Sequence, residues 1–284
     1  MNASQLVSVV ITTYNRSDAL LAVLDGLALQ TDRHFEVIVA DDGSQTAHQL
    51  ALSKSTTAKK LGVTHVWHPD IGFTASRIRN RGVAASTGEY VIFIDGDCVP
   101  ETDFVARHRA LAQQGCMVNG SRVLLAAELT AQVLAGNEHL CGRSPWFWFQ
   151  QRVRGQANKL TGLLRLPNLP MRLHRAFSWK GIRGCNMGVW RCDFERVDGF
   201  DESFVGWGHE DADLVLRLHN SGVARKNGFC ATEVFHLWHR EAARHQESQN
   251  AKRVMERSHT QVTRAELGYS QQRPNDDVVI TRLG

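Results

Sequence analysis

The sequence predicts an α/β protein with a mostly parallel central sheet flanked by helices, followed by a basic insertion and a helical carboxyl-terminal tail. Short apolar segments rich in Val, Ile and Phe, such as 7–12, 35–40 and 90–95, alternate with amphipathic segments of helical period. This alternation is typical of parallel sheets, because each parallel crossover needs a connection long enough to hold a helix. No apolar stretch approaches transmembrane length.

The first 120 residues are expected to fold in the order βαβαβαβ. Since ligands of parallel sheets bind beyond the carboxyl ends of the strands, the polar residues that follow these strands are expected to line one cleft. In chain order, the predicted elements are a strand at 7–12, a helix capped by Ser17, a strand at 35–40, a helix over 44–54, a strand at 63–67, a helix over 74–85 and a strand that ends at Asp95.

Two carboxylates one residue apart, Asp95 and Asp97, follow the most apolar of these strands. Buried strands should not end in paired acids without a reason, because the two side chains repel each other unless a cation lies between them. Oxygen ligands on a short turn suit Mg²⁺ or Mn²⁺, and such ions usually accompany a phosphorylated substrate. The pattern therefore predicts a divalent metal site at the end of this strand.

Composition and charge narrow the class of protein. The net charge of +4 is too small to indicate a nucleic-acid partner. The six cysteines form no Cys-x-x-Cys pair and no zinc-like spacing, so they are expected to be reduced thiols. Without a recognisable signal peptide, the sequence predicts a cytoplasmic protein that could touch the inner face of the cell membrane.

Residues 139–192 differ from the rest, because they contain ten Lys and Arg residues and no Asp or Glu. Aromatic residues are interleaved, as in Pro145-Trp-Phe-Trp-Phe149. Either this is a solvated basic insertion with some core aromatics, or it is a surface for an anionic acceptor or anionic lipid headgroups. The predicted segments are 1–120, which holds the parallel strands, 121–183, the basic insertion, 184–240, in which a core pattern returns, and 241–284, a polar helical tail.

Acids and histidines return in the second half. Gly206-Trp-Gly-His-Glu210-Asp211 precedes a predicted helix, whose dipole explains one acid in the first turn but not the glycines around Trp207. His236 and His239 lie three residues apart and are candidate metal donors near an acidic cleft.

These motifs carry a resemblance to the family 2 glycosyltransferases, which have the A-type nucleotide-sugar transferase fold. Val9-Val-Ile-Thr-Thr-Tyr-Asn15, Val39-Ala-Asp-Asp-Gly-Ser44, Arg79-Asn80-x-Gly82 and Phe93-Ile-Asp-Gly-Asp97 match the amino-terminal half of that family in order and spacing. The region from Gly184-Cys-Asn186 through Gly206-Trp-Gly to His239 is similar to the carboxyl-terminal region of galactosyltransferases. The resemblance covers roughly residues 5–240, and it implies that 1–120 is the nucleotide-sugar-binding half and 184–240 the acceptor and catalytic half.

The resemblance implies a role for each matching residue. Asp211 would be the general base, with Glu210 as its nearest rival, and Trp207 would either stack on a sugar or belong to the core. Asp97 would bind the metal with His239, and His236 is a further candidate. The implied nucleotide-sugar contacts are Thr12, Tyr14, Asp41 or Asp42, Arg77, Arg79, Asn80, Asp95 and Gly184.

The implied activity is metal-dependent, inverting transfer of galactose or a related hexose from a UDP-sugar to a saccharide or lipid-linked, possibly phosphate-rich acceptor. The metal would be Mn²⁺ or Mg²⁺, and the pathway would be synthesis of lipopolysaccharide or another surface polysaccharide. Two alternatives remain at this stage. One is a sugar nucleotidyltransferase, although the glycine-rich loop expected after its first strand is missing. The other is a non-catalytic glycan-binding protein of the same fold.

Overall fold

The computed structural model describes residues 1, 4–179, 181–240, 247–271 and 277–284. Three short 3₁₀ turns lie at Thr161–Leu163, Pro170–Arg172 and Tyr269–Gln271. The strands are β1 (Val7–Thr13), β2 (Phe35–Asp41), β3 (Thr64–Trp67), β4 (Tyr90–Asp95), β5 (Cys98–Pro100), β6 (Cys116–Asn119), β7 (Ser121–Leu124), β8 (Leu173–His174), β9 (Asn186–Trp190), β10 (Ala224–Asn227), β11 (Glu233–His236) and β12 (Val279–Arg282). The helices are α1 (Ser17–Ala28), α2 (Thr46–Lys54), α3 (Thr56–Lys60), α4 (Ala75–Ala84), α5 (Phe104–Leu111), α6 (Ala127–Leu134), α7 (Pro145–Val153), α8 (Arg191–Arg196), α9 (Glu210–Asn220) and α10 (Glu247–Ser258).

The main sheet has nine strands in the order β12-β3-β2-β1-β4-β9-β6-β10-β8. Strands β1 to β4 are mutually parallel where they pair, which confirms the predicted parallel core. The second half of the chain joins through β9, which runs antiparallel to both β4 and β6. Thr12 pairs with Asp95 and Thr13 with Asp41, so the polar strand ends meet at one edge of the sheet.

Helices cover both faces of this sheet, as predicted. On one face, Leu24 of α1 packs in a buried cluster with Val9 of β1. On the other face, Ile78 of α4 packs with Val10. The alternation of inward side chains along β1 therefore supplies both cores. Within the described ranges, no helix has both the length and the apolar character that crossing a bilayer requires.

The predicted cap of α1 is wrong in detail. Helix α1 begins at Ser17 itself, and Arg16 occupies the N-cap position without a capping side chain. The Ser17 hydroxyl lies 2.9 Å from Nδ1 of His48 in α2 instead. A serine near a helix start can bond to a neighbouring element rather than to its own first turn, and the sequence does not distinguish these two outcomes.

A second sheet of three strands, β5-β11-β7, connects the two halves of the chain. Strand β11 runs antiparallel to β5 and parallel to β7. In this register His236 pairs with Cys98, the residue that follows Asp97. The pairing brings the histidines of the second half to the acidic turn of the first half, 140 residues away in sequence.

The carboxyl-terminal tail is helical only in part. Helix α10 agrees with the prediction of a helical tail, whereas β12 is a strand that the sequence analysis did not predict. It pairs antiparallel with β3 and forms one edge of the main sheet. The pairing partner lies more than 200 residues earlier, so no local pattern near residue 280 indicates it.

A buried charge network fixes α10 to α9. Arg217 and Asp213, both fully buried, form an ion pair of 2.8 Å within α9. Arg257 of α10 contacts Asp213 at 2.6 Å and Asp201, in the loop before α9, at 2.8 Å. Because an uncompensated charge in the interior is costly, each member of this network depends on the others.

We predict that Asp213→Ala lowers the free energy of unfolding by about 3–5 kcal/mol, since it leaves the buried guanidinium of Arg217 without its carboxylate. Urea unfolding followed by circular dichroism measures the change. The matched control is Glu256→Ala, which removes an exposed 3.8 Å pair with Lys252 on α10. The control substitution should lower the free energy of unfolding by about 0.5 kcal/mol or less. Equal unfolding midpoints for the two variants would contradict the assignment.

Candidate active site

Arg79 lies at the centre of the cleft formed by the strand ends. It projects from α4, and its side chain is buried. Its guanidinium donates to Oγ1 of Thr12 at 3.1 Å, to Asp95 at 3.2 Å and to Glu210 at 2.9 Å. Burial alone would lower the pKa of Arg79, but Asp95 and Glu210 outweigh it and raise the pKa above its ordinary value. The cleft therefore contains a permanent positive charge that joins the first half to the second.

The predicted metal ligands lie together at Asp97, two residues after the Asp95 that bonds to this arginine. Nε2 of His239 is 3.3 Å from one carboxylate oxygen of Asp97, and Nε2 of His236 is 3.7 Å from the other. A backbone bond from Leu237 N to Asp97 O, 2.9 Å long, holds the two segments in register. Burial lowers the pKa of His236, which favours the neutral imidazole that a metal requires.

The donor set fits a divalent transition metal. One carboxylate and two imidazoles offer hard oxygen and borderline nitrogen ligands, a combination that suits Mn²⁺ better than Mg²⁺. The thiol of Cys98 lies 3.7 Å from Asp97 and within 4.8 Å of the ligand atoms of Asp97 and His236. Burial, followed by the neighbouring thiol of Cys185, raises the pKa of the Cys98 thiol, so a metal that bound this sulfur would have to displace its proton.

Asp41 and Asp42 end the second strand, and both are buried. Asp41 accepts the Ser44 N–H at 2.8 Å and lies 3.0 Å from Nε2 of His65. Asp42 accepts two bonds from Thr74, from the backbone N–H at 2.9 Å and from the hydroxyl at 2.6 Å. Asp42 thus sets the start of α4, the helix that carries Arg79.

Tyr14 is 47% exposed at the mouth of the cleft. Its hydroxyl donates to Asp70 at 2.7 Å, and this hydrogen bond is the main reason that the pKa of Tyr14 is raised. The sequence analysis did not single out Asp70, because a lone acid in a loop carries no pattern.

Two residues on α4 were predicted to contact the nucleotide together with Arg79. Arg77 is half-buried on this helix, two residues before Arg79. Asn80 is fully buried, and its amide exchanges two hydrogen bonds of 2.9 Å with the backbone of Phe200 and donates to Glu202 at 3.0 Å. The structure therefore shows Asn80 holding the loop before α9.

The Asp211 carboxylate lies at the start of α9. Oδ2 accepts the Gly184 N–H at 2.8 Å, and Oδ1 accepts the Ala212 N–H at 2.7 Å. A Cβ atom at position 184 would lie 3.2 Å from Asp211, so a larger residue there would require Asp211 to shift by a few tenths of an ångström. Removal from water, followed by repulsion from Glu210, raises the pKa of Asp211, while the two N–H groups oppose this rise.

The loop before α9 has an unusual backbone. Gly206, Gly208 and His209 adopt positive φ angles of 79°, 102° and 70°. Positive φ is uncommon for a residue other than glycine, and such strain is often found at functional sites. Trp207 is half-buried within this loop. Trp179, which the sequence analysis noted only as part of the basic segment, is 44% exposed with its ring 5.8 Å from that of His209.

One basic residue has a structural role that its sequence context concealed. Arg172 is one of the ten basic residues of the segment 139–192, but it is buried. Its guanidinium donates to four backbone carbonyls, each at 2.7–2.8 Å, those of Leu166, Pro167, Asn227 and Phe229. Arg172 therefore closes a loop of this segment and does not present its charge to a partner.

Comparison with known families identifies the class. The model "Glycosyl transferase family 2" matches residues 8–165, and the model "N-terminal domain of galactosyltransferase" matches residues 171–240. The first match covers more than half of the chain, so the chain belongs to glycosyl transferase family 2. This confirms the family that the sequence motifs indicated.

Similar proteins agree with this assignment. Validoxylamine A glucosyltransferase from Streptomyces hygroscopicus subsp. jinggangensis is 31% identical over 233 residues, which are 77% of this chain and 52% of that protein. Chondroitin synthase from Escherichia coli is 28% identical over 76% of this chain and 32% of its own length. The chain thus spans about half or less of these relatives.

Solved structures show the same fold. A mannosyltransferase from Pyrobaculum calidifontis in complex with GDP-Man and Mn²⁺ has a TM-score of 0.54 at 19% identity, covering 83% of this chain and 58% of its own. S. aureus TarS has a TM-score of 0.57 at 15% identity, covering 93% of this chain and 41% of its own. At these identities the likeness shows the fold alone.

We predict that the pKa of Asp211 lies above 3.8, its ordinary value, and falls in Glu210→Gln, because that substitution removes a like charge. Carbon-detected NMR titration of the aspartate carboxyls measures both values. Glu128→Gln, an exposed change on α6, should leave the Asp211 pKa unchanged. A wild-type pKa at or below 3.8 would contradict the electrostatic description of this site.

Proposed function

We propose that this protein is a metal-dependent, inverting glycosyltransferase that moves a hexose, galactose or a related sugar, from a UDP-sugar to an acceptor hydroxyl. The observation that carries this proposal is the cleft itself. The buried cation of Arg79 holds Asp95 and Glu210 together there, and close to them in sequence stand Asp97, the proposed metal ligand, and Asp211, the proposed base. The glucosyltransferase relative supports a hexose donor.

The nucleotide would lie along the ends of β1, β2 and β4. Thr12 and Tyr14 would contact the uridine, with Asp42 or Asp41 accepting the uracil N3–H. Asp95, which is only partly buried, would bind the ribose. Arg77 would contact the diphosphate from α4, whereas Asn80 would act by holding the loop before α9.

Asp97 and His239 would hold the metal, with His236 as a further ligand. When bound, Mn²⁺ would neutralise the charge that develops on the leaving diphosphate. The Mn²⁺ in the mannosyltransferase of the same fold supports a metal of this kind.

Asp211 would act as the general base. Each of its oxygens accepts one backbone N–H and keeps a lone pair for the acceptor hydroxyl. The acceptor O–H proton moves to Asp211 as the acceptor oxygen bonds to the anomeric carbon, and the bond from that carbon to the diphosphate breaks to release UDP. Direct displacement inverts the anomeric configuration. Glu210 is the weaker candidate, because its Oε1 is paired with Arg79 at 2.9 Å.

Gly184 would let the acceptor and the base approach closely, and Trp207 would stack on a sugar ring. The acceptor would be a growing saccharide, as the similarity to chondroitin synthases suggests, or a lipid-linked glycan of a surface polysaccharide or lipopolysaccharide.

The exposed residues of helix α7 support the proposal that the protein contacts the anionic inner face of the cell membrane peripherally. Trp146, Phe149 and Val153 are 64%, 46% and 71% exposed and follow helical spacing along one side. The opposite side is anchored, because Trp148 is buried and stacks on Phe235 at 4.1 Å. Exposed aromatic residues beside arginines are typical of helices that lie in a lipid interface.

We predict that one UDP-hexose binds in a Mn²⁺-dependent manner and that Asp97→Ala abolishes this dependence, because the variant loses the central metal ligand. Isothermal titration calorimetry, with and without Mn²⁺, measures the binding of UDP-glucose, UDP-galactose, UDP-N-acetylgalactosamine and GDP-mannose. The exposed Asp18→Ala serves as control and should bind as wild type. Preference for GDP-mannose would refute the uridine assignment, and absence of binding to every nucleotide sugar would refute the transferase proposal.

We predict that wild-type protein binds vesicles containing phosphatidylserine and that Trp146→Ser/Phe149→Ser weakens this binding about tenfold or more, because two large apolar side chains no longer enter the interface. Co-sedimentation with phosphatidylcholine vesicles, with and without phosphatidylserine, measures the effect. Leu50→Ser, at a 49% exposed apolar residue on α2, is the matched control. Equal binding by the double variant would exclude α7 as the membrane contact.

A further inference from the structure

A second polar cavity lies apart from the nucleotide end of the cleft. Its volume is about 210 Å³, and it opens where the β6–β7 connection meets β8 and β10. The basic pocket, as we call it, is lined by Asn119, Gly120, Ser121, His174, Gly181, Arg183, Arg225, Asn227 and Phe229.

The lining of the basic pocket carries positive charge and no acid. Arg225 donates one bond of 2.7 Å to the Ser178 carbonyl, and Arg183 donates one of 3.1 Å to the Ile182 carbonyl. In the part of the chain that the structure describes, no carboxylate forms an ion pair with Arg183, Arg225 or His174. Burial lowers the pKa of Arg225, so a bound anion would compensate a cation that water solvates poorly.

A third cation, Lys159, lies at the edge of the basic pocket. The Lys159 ammonium donates to Ser121 Oγ at 2.7 Å and lies 5.3 Å from the centre of the Phe229 ring. Phe229 is 45% exposed and offers an apolar face beside these charges. Convergent polar donors next to an aromatic face are what a pocket for a small charged ligand requires.

The basic pocket is joined directly to the proposed base. Asn119 fixes the wall of the pocket by accepting the Arg183 N–H at 3.1 Å and donating to the Gly181 carbonyl at 3.0 Å. Gly184, which follows Arg183 in the chain, donates its N–H to Asp211 at 2.8 Å. One peptide unit therefore connects the cationic wall to the carboxylate that would receive the acceptor proton.

The basic pocket is not placed to hold the diphosphate of the donor. The proposed donor contacts lie at the ends of β1, β2 and β4, whereas β10 is three strands beyond β4 in the sheet. At about 4.8 Å per strand, this separation is about 14 Å. A ligand of the basic pocket would instead lie near Asp211, to which the wall of the pocket is joined through Gly184.

We propose that the basic pocket binds an anionic group, a carboxylate or a phosphate, on the acceptor saccharide and so orients the attacking hydroxyl toward Asp211. This inference rests on the proposed function, since it assumes that Asp211 receives the acceptor. Arg225 and Arg183 bind the anion, and Phe229 packs against the sugar that carries the charge.

The test measures binding of three probes to the protein saturated with UDP and Mn²⁺. The probes are methyl β-glucuronoside, its neutral analogue methyl β-glucoside, and inorganic phosphate, each titrated by NMR. We expect wild type to bind an anionic probe at least about tenfold more tightly than the glucoside, and Arg225→Gln to remove that advantage. Tighter binding of the glucuronoside would indicate that the anionic group of the acceptor is a carboxylate. Tighter binding of phosphate would indicate that it is a phosphate.

Three controls separate the possible outcomes. Arg183→Gln, at an exposed position, repeats the test should Arg225→Gln fail to fold. Arg154→Gln, an exposed cation at the end of α7, should leave probe binding unchanged. Both pocket variants should keep wild-type affinity for UDP. If UDP binds but the anionic and neutral probes bind equally, or if both pocket variants behave as wild type, the inference is overturned and the proposed function is not. If UDP itself fails to bind, the proposed function fails first.

Discussion

The buried guanidinium of Arg79 is the constraint on which the rest of the structure depends. It projects from α4 in the first half, touches Asp95 at the end of β4, and reaches Glu210 at the start of α9 in the second half. A guanidinium in the interior is tolerated only when carboxylates and hydrogen-bond acceptors surround it. Both halves must therefore be folded and docked before this charge is satisfied, so formation of the cleft and folding of the chain are coupled.

The same charge explains how several acids share one cleft. Asp95, Asp97, Glu210 and Asp211 would repel one another if nothing positive lay among them. Arg79 offsets the charges of Asp95 and Glu210 directly, and it also opposes the rise in the pKa of Asp211. Asp97 lies outside the reach of these bonds and contacts two imidazoles instead. The structure thus separates the carboxylate that we propose to bind a metal, Asp97, from the one that we propose to receive a proton, Asp211.

Much of this arrangement could be predicted from the sequence, because its signals are local. Apolar segments that end in acids predicted the strands, and parallel connection predicted that Thr12, Asp41 and Asp95 would meet at one edge, as they do. Local patterns did not reveal which polar residues face inward. From the sequence, Asn80 is expected in the cleft and Arg172 on the surface. Both instead bond to backbone groups that lie 50 or more residues away in sequence. Only the folded chain brings those carbonyls within reach.

The carboxyl-terminal tail is a further part of the chain whose role local sequence patterns do not predict, and it supports the candidate active site. The sequence shows no catalytic signal beyond residue 241, yet the buried amide of Asn250 on α10 donates to the Gly208 carbonyl at 3.0 Å and to the Val205 carbonyl at 3.3 Å. These bonds hold the loop whose residues at 206, 208 and 209 have positive φ, a conformation that persists only when its surroundings determine it. Asp211 follows this loop directly. The position of the proposed base therefore depends on a helix that contributes neither an acid nor a metal ligand to the cleft.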